Sequence, residues 1–182
     1  MKNYKTLILA IIAVLFVILV PVFVVQGSGN RAIRYEEDVN KAQGDLEGQL
    51  SRRYNVLTEL AECVKQYDKH EYETLLAVIS QRGKNMSDTE AEEIEAQINA
   101  VAEAYPELKS QKNYKQFMTE IATTENLIAS YKQAYNSTVE NYRGYCRSFP
   151  ARKFLDIVGY EVQQYEYYQT DKTDTDPLSF FD

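Results

Sequence analysis

Residues 49–57 read QLSRRYNVL. Together with its flanks this stretch lies on one stripe, formed by Val39, Ala42, Leu46, Leu50, Arg53, Leu57, Leu60, Val64 and Tyr67. Successive members are three or four residues apart, which puts them on one face of an α-helix; a strand would need alternation. One position on the stripe, Arg53, is a cation where the pattern calls for leucine. Gly44 and Gly48 fall in the same stretch, and each costs ~1 kcal/mol against alanine inside a helix. Close packing against a neighbouring helix is the expected reason for them. The stripe predicts a first domain helix over 32–67.

Toward the N-terminus, Leu7–Val25 (LILAIIAVLFVILVPVFVV) contains no charged residue. A hydrocarbon core of ~30 Å needs about 20 apolar residues in helical form, so residues 7–25 are expected to be a transmembrane anchor preceded by a short flank, 1–6. The competing reading is a cleaved signal peptide, whose apolar region runs ~7–15 residues and ends at small residues. VVQGSG fits that cleavage pattern poorly, which favours a retained anchor. Pro21 sits near the far end of the run, where a kink disturbs few backbone bonds. Gln26–Asn30 (QGSGN) is expected to be a flexible hinge, since Gly and Ser interrupt the pattern. Lys2 and Lys5 precede the run and Arg31, Arg34 and Lys41 follow it. The two sides nearly balance by the positive-inside rule, and the closeness of Lys2 and Lys5 favours an extracytoplasmic domain.

Toward the C-terminus the chain reads as helices almost throughout. The second helix is expected from about 68–71 to 81, with Tyr72, Leu75, Leu76 and Ile79 inward. RGKNMS (82–87) is a loop, with Gly83 as a C-cap and Ser87 or Asp88 as an N-cap supported by Glu90. The third helix is expected over 89–104, ended by Tyr105-Pro106 because the residue before proline avoids the helical region. A long fourth helix, 113–147, carries the stripe Tyr114, Phe117, Met118, Ile121, Glu125, Ile128, Tyr135, Val139, Tyr142 and Cys146. Phe149-Pro150 breaks it, and a short helix follows over 151–159. The tail, 161–182, is rich in tyrosine and then acidic, with a disordered middle. The fold class is therefore all-α: a transmembrane helix, then a long antiparallel bundle over 31–160 in the order long, short, short, long, plus a short C-terminal helix.

Antiparallel packing permits a register calculation. If residue 67 is level with residue 111, facing residues have numbers summing to about 178, and Arg53 faces Glu125. Glu125 is the one carboxylate on its own stripe. By the same rule Cys63 and Cys146 are about 30 helical residues apart, ~45 Å at 1.5 Å each. A disulfide needs Cα atoms within ~7 Å, so both cysteines are expected to be packed and unbridged.

Charge and chemistry exclude several functions. The first thirty residues hold two lysines and no acid, leaving 18 Lys+Arg against 27 Asp+Glu, a net charge of −9. An acidic domain is a poor nucleic-acid ligand, because each phosphate contact needs a cation. The single histidine, His70, sits beside Glu71 without the second histidine of a zinc-protease helix. It reads as a helix-junction cap or surface pair. No phosphate-cradling glycine loop or Cys–His pair is present. No catalytic site, cofactor or metal is expected.

The stretch QLSRRYNVLTELAECVKQYDKHEYETL resembles the LemA family of bacterial membrane-anchored helical proteins. Its matching positions are Arg52, Arg53, Leu57, Leu60, Val64, Tyr67, His70 and Glu71. YPELK (105–109) is similar to a second family block. TTENLIASYKQAYNSTVENYRGYCRSFP is similar to a third, through Glu125, Asn126, Ile128, Tyr135, Asn136, Val139, Tyr142, Phe149 and Pro150, and the pair Gly159-Tyr160 follows. The resemblance runs from the apolar segment to about Tyr160. It implies a long antiparallel bundle tethered to the bacterial cell membrane, and implies no reaction. Thr58-Glu59 stands where the family has Pro-Asn, which predicts a straighter first helix, and the stretch between Pro150 and Gly159 is more charged than is usual in the family.

Two groups of residues are candidate sites. Arg53 and Glu125 are expected to form an ion pair in the bundle seam that fixes register more than it adds stability. In the alternative, the seam is open and Arg52 and Arg53 grip a partner's carboxylate bidentately. Arg52, one step round the helix, should point out of the seam as a partner contact. The second group lies at the membrane end: Arg143, Arg147, Phe149, Arg152, Lys153 and Phe154, with Arg31 and Arg34 nearby. Basic and aromatic residues there suit anionic headgroups or a membrane partner, and ordinary bundle closure is the plainer reading. Tyr160, Tyr165, Tyr167 and Tyr168 form a candidate interaction strip. The functional expectation is a non-catalytic, membrane-anchored scaffold or sensor acting through an unknown protein partner. The alternative is an envelope-lipid or cell-wall binder acting through the basic, aromatic end.

Overall fold

The computed structural model describes residues 2–168. Six helices account for nearly all of them, and no strand occurs among the described residues: α1 Lys2–Val64, α2 Lys69–Arg82, α3 Asp88–Ala104, α4 Pro106–Ser110, α5 Lys112–Arg147 and α6 Ala151–Val158. The architecture is the expected all-α one, with two long helices enclosing short ones. The acidic stretch expected to be disordered lies outside the described residues, from position 169 onward.

Three local expectations need correction. The break expected at Gln26–Asn30 is absent, and the apolar run and the first domain helix are a single helix, α1. Gly27 and Gly29 each cost about 1 kcal/mol there against alanine, and the helix carries that cost without a break. Gly29 is buried, and a Cβ on it would stand 3.5 Å from Val158. Gly44 and Gly48 do not mark close packing, because a Cβ at either would meet nothing within 4 Å. The stretch after Tyr105 is not loop alone, since Pro106 opens the five-residue helix α4, as a residue with fixed φ and no N–H can do at a first helical position.

The caps follow the local chemistry. Asp68 accepts from the backbone N–H groups of His70 and Glu71 at the start of α2, and His70 itself is exposed. Ser87 and Glu90 form a reciprocal capping box on α3. Gly83 (φ +69°) and Gly159 (φ +68°) end α2 and α6 in left-handed conformations that a side chain would strain. α1 continues as helix through Thr58-Glu59, where the Thr58 hydroxyl donates to the Tyr54 carbonyl at 2.8 Å.

The chain forms two compact units: Met1–Ala42 with Tyr135–Tyr167, and Gln43–Ala134 with Tyr168–Asp182. In the first unit, Ala32 and Val39 of α1, Tyr135, Val139, Tyr142 and Cys146 of α5, and Ala151 and Leu155 of α6 are buried. The second unit holds a core from Val56 to Ile121, in which α1 supplies Leu57, Leu60 and Val64, α2 Leu75 and Ile79, and α3 Ile94 and Ile98. A smaller cluster joins Leu46 and Leu50 to Ile128. Within the second unit α1 and α5 run antiparallel, as the pairs Tyr67–Gln111, at the adjoining ends of the two helices, and Arg53–Glu125 indicate.

The run that precedes the domain is left uncovered. α1 is long and apolar enough at its N-terminal end to cross a membrane, and the most apolar 18-residue window has none of its length buried. Both cysteines are free; Cys63 is half-buried and Cys146 buried. Burial raises the pKa of each thiol.

Candidate functional site

Arg53 is only 1% exposed. Its neighbours on the α1 stripe are apolar, so the guanidinium leaves the helix inside the core of the second unit and must find acceptors there. It finds three, on three different elements. Nη1 donates to Asp88 Oδ1 at 3.0 Å and to Glu125 Oε2 at 3.3 Å. Nη2 donates to the Met86 carbonyl in the loop before α3. Lys132 of α5 completes the group, with Nζ 2.8 and 2.7 Å from the two carboxylate oxygens of Asp88. Two atoms remain without partners at the centre, Arg53 Nε and Glu125 Oε1.

The two carboxylates differ in environment. Burial pushes the Asp88 carboxyl up, but hydrogen bonds and charge from Lys132 and Arg53 outweigh it and hold the group below its usual range. Asp88 also sits in the first turn of α3, where an anion is favoured by the helix dipole. At Glu125 burial wins over the pull of Arg53, and the carboxyl is raised. On α3, Glu95 is pushed up to about 7, by burial first and then by the negative charges of Glu125 and Glu92. A cleft of about 430 Å³ adjoins the network, lined by Arg53, Met86, Ser87, Asp88, Lys132 and Tyr168 among others.

Arg52 points away from this network. It is half-exposed and pairs with Glu120 of α5 at 2.9 Å. It therefore presents an ion pair and not a bare cation to any partner.

In the first unit, the membrane-end cluster divides. Arg143 turns toward the tail, donating to the Tyr165 carbonyl and lying over the Tyr167 ring, 4.6 Å from its centre. Arg147, Phe149, Arg152 and Lys153 are exposed. Phe154 lines a cavity of about 540 Å³ with Val24, Ser28, Arg31, Tyr145 and Ser148, among others. Tyr145 fixes one wall of this cavity: its hydroxyl donates to the Ser28 carbonyl at 3.0 Å and its ring lies 5.3 Å from Tyr35.

Tyr160 and Tyr165 of the tail are engaged within the first unit, whereas Tyr167 is exposed. The hydroxyls of Tyr142 and Tyr160 are 3.1 Å apart, and Tyr160 donates to Glu36 on α1. Burial, followed by those two hydrogen bonds, raises the Tyr160 pKa far above its usual value. Tyr165 donates to Asn40 at 3.1 Å and packs edge-on against Tyr142. The backbone N–H of Gln163 donates to the Tyr142 hydroxyl at 2.8 Å.

The LemA family profile matches residues 42–180. The chain belongs to the LemA family. Protein LemA of Metamycoplasma hominis is 28% identical to it over 169 residues, covering 85% of this chain and 76% of that protein. The LemA match begins beyond the apolar run, in contrast to the resemblance, which reached into that run. It also extends past Tyr160 through the tail. Arg53, Asp88, Glu125 and Lys132 all lie within the match.

Of the sequence-derived candidates, Arg53 and Glu125 are brought together, and Arg52, one step round α1, pairs with Glu120 of α5. Asp88 and Lys132 were missed. Asp88 had been accounted for as a cap, and Lys132 lies off the apolar stripe, reaching the network through its flexible stem. Among the described residues no group of three or more His, Cys, Asp or Glu is placed to hold a metal.

Proposed function

We propose that this LemA-family chain is a non-catalytic scaffold, held in the cell membrane by residues 7–25 and working through protein contacts of its helical domain. The observation that carries the reading is α1 itself. One helix runs without interruption from an uncovered apolar segment into the buried core of the domain, so the domain is borne by its anchor with no linker between them. The Arg53 network supports a structural role within the second unit, since its three acceptors, Asp88, Glu125 and the Met86 carbonyl, come from stretches distant from α1 in sequence. The lysines that precede the span favour a domain on the extracytoplasmic side.

The test is proximity labelling in the native cell. A labelling enzyme is fused to the C-terminus of the full chain, and a matched fusion carries only residues 1–42. The expected result is a reproducible set of envelope proteins labelled by the full chain and not by the anchor alone. Identical labelling by both fusions overturns the scaffold reading.

A further inference from the structure

Outside the span, the most exposed large apolar side chains among the described residues are Phe149, at 86%, and Ile157, at 70%. Phe149 precedes α6 and Ile157 lies in its last turn, and both belong to the first unit. An isolated exposed apolar residue calls for no explanation, but the surroundings of these two are specific. Ile157 and Val158 line a cleft of about 510 Å³ together with Pro21, Val22, Val25 and Gln26. Pro21, Val22 and Val25 are the end of the apolar run, and Gln26 follows it directly. A run that fills a hydrocarbon core of ~30 Å with about 20 residues puts its last apolar position, Val25, at the hydrocarbon edge. The end of α6 is thus held at the depth where acyl chains give way to headgroups.

The rest of α6 fits that depth. The cavity at the start of α6 is apolar at Val24 and Phe154 and polar at Ser28, Arg31 and Ser148, the two characters a phospholipid presents at that boundary. Arg147, Arg152 and Lys153 are exposed around it, with Asp156 the one acid inside α6. Basic side chains beside an apolar surface are what an anionic leaflet attracts.

We infer that α6 and Phe149 form an interfacial element that lies in the surface of the bilayer beside the span, with Phe149 and Ile157 among the upper acyl chains and Arg31, Arg152 and Lys153 on the phosphates of anionic phospholipid. This rests on residues 7–25 being a span. It gives the protein a second attachment to the same leaflet and fixes the rotation of α1 in the membrane.

The chain contains no tryptophan, so single substitutions report one place each. Full-length Phe149→Trp is reconstituted in vesicles containing phosphatidylglycerol. Phe16→Trp, in the apolar run, and Gln81→Trp, exposed on α2, are the references. The expected result is blue-shifted emission from Phe149→Trp, with quenching by phospholipid brominated high on the acyl chain several-fold greater than at Gln81→Trp. Phe16→Trp should be quenched best by deep bromine. Adding Arg152→Glu and Lys153→Glu should shift the Phe149→Trp emission back to the red. Solvent-like emission from Phe149→Trp with an immersed Phe16→Trp overturns the inference and leaves the span standing. Solvent-like emission from both overturns the span. Equal immersion in pure phosphatidylcholine vesicles overturns the assignment to anionic lipid.

Discussion

A guanidinium carries five N–H donors in a rigid fork and cannot lose its charge. Arg53, at 1% exposure, satisfies its fork with Asp88, Glu125 and the Met86 carbonyl, leaving Nε unbonded. Truncating one member of a buried ionic group strands the others, at a typical cost of 3–5 kcal/mol. Arg53→Met is expected to lower stability by about 3 kcal/mol, measured as the urea midpoint of the full chain in detergent. Asp88 retains Lys132 in that variant, so Glu125 is the group most affected. Adding Glu125→Leu should recover more than half of the loss. An unchanged midpoint in the single variant would show that the network holds nothing together. Gly48 offers the opposite case. It is helical and exposed, with open space where a Cβ would stand, so Gly48→Ala should raise stability by about 1 kcal/mol. At this scale the two stripes were sufficient to find Arg53 and Glu125, because a charge on an apolar face is visible in a single sequence. Asp88 left no such mark. Its contact with Arg53 depends on how the loop 82–87 delivers the start of α3, and the same residue would serve equally well as a solvent-facing helix start.

Among elements, α3 carries the clearest pH response. The Glu95 carboxyl has a folded pKa of about 7 against a reference value of 4.5. Between these values the folded chain binds the proton and the unfolded chain does not, so stability falls as pH rises through that window. Glu92 on α3, Glu125 on α5 and Arg53 on α1 are the charges that act on it, and the two glutamates outweigh the arginine. The expected slope is on the order of 1 kcal/mol across the window once solvent screening is allowed for, and Glu95→Gln should abolish it in urea titrations run from about pH 5 to 8. Asp88 acts in the opposite sense. Its pKa is held below 3.8, so its contribution is present above that value and is lost only as pH falls through the lower, folded one. Ser87→Ala removes one half of the capping box and should cost about 1 kcal/mol. Helix ends were readable where a cap residue announced them, as at Gly83 and Ser87. They were misread where glycine occurred without ending a helix. Gly27 and Gly29 pay a propensity cost that a continuous hydrogen-bond ladder outweighs, and no local rule states which of the two wins.

At the scale of the whole molecule, Cys63 and Cys146 fall in different compact units and both are free. Electrophoretic mobility of the denatured chain should therefore be the same with and without reductant, and a faster band without reductant would contradict this. The order of long and short helices was legible because the apolar periodicity is long and nearly free of Gly and Pro. The placement of residues 161–167 was not, since tyrosine suits a core, an interface and an exposed strip alike. What settles it is the set of acceptors that α1 and α5 offer: Glu36, Asn40 and the Tyr142 hydroxyl.

The unbroken course of α1 through Gln26–Asn30 makes the anchor a shaft and not a tether. A helix advances 1.5 Å and turns about 100° with each residue. Whatever face the apolar run presents to neighbouring spans is therefore locked in angle to Ala32 and Tyr35, where the first unit begins to pack. A single alanine inserted between Gln26 and Asn30 would keep the length of the anchor almost unchanged and turn one face against the other by more than a quarter turn. Sensitivity to phase, and indifference to small changes in length, is the signature by which torsion along this shaft could be recognised in the cell.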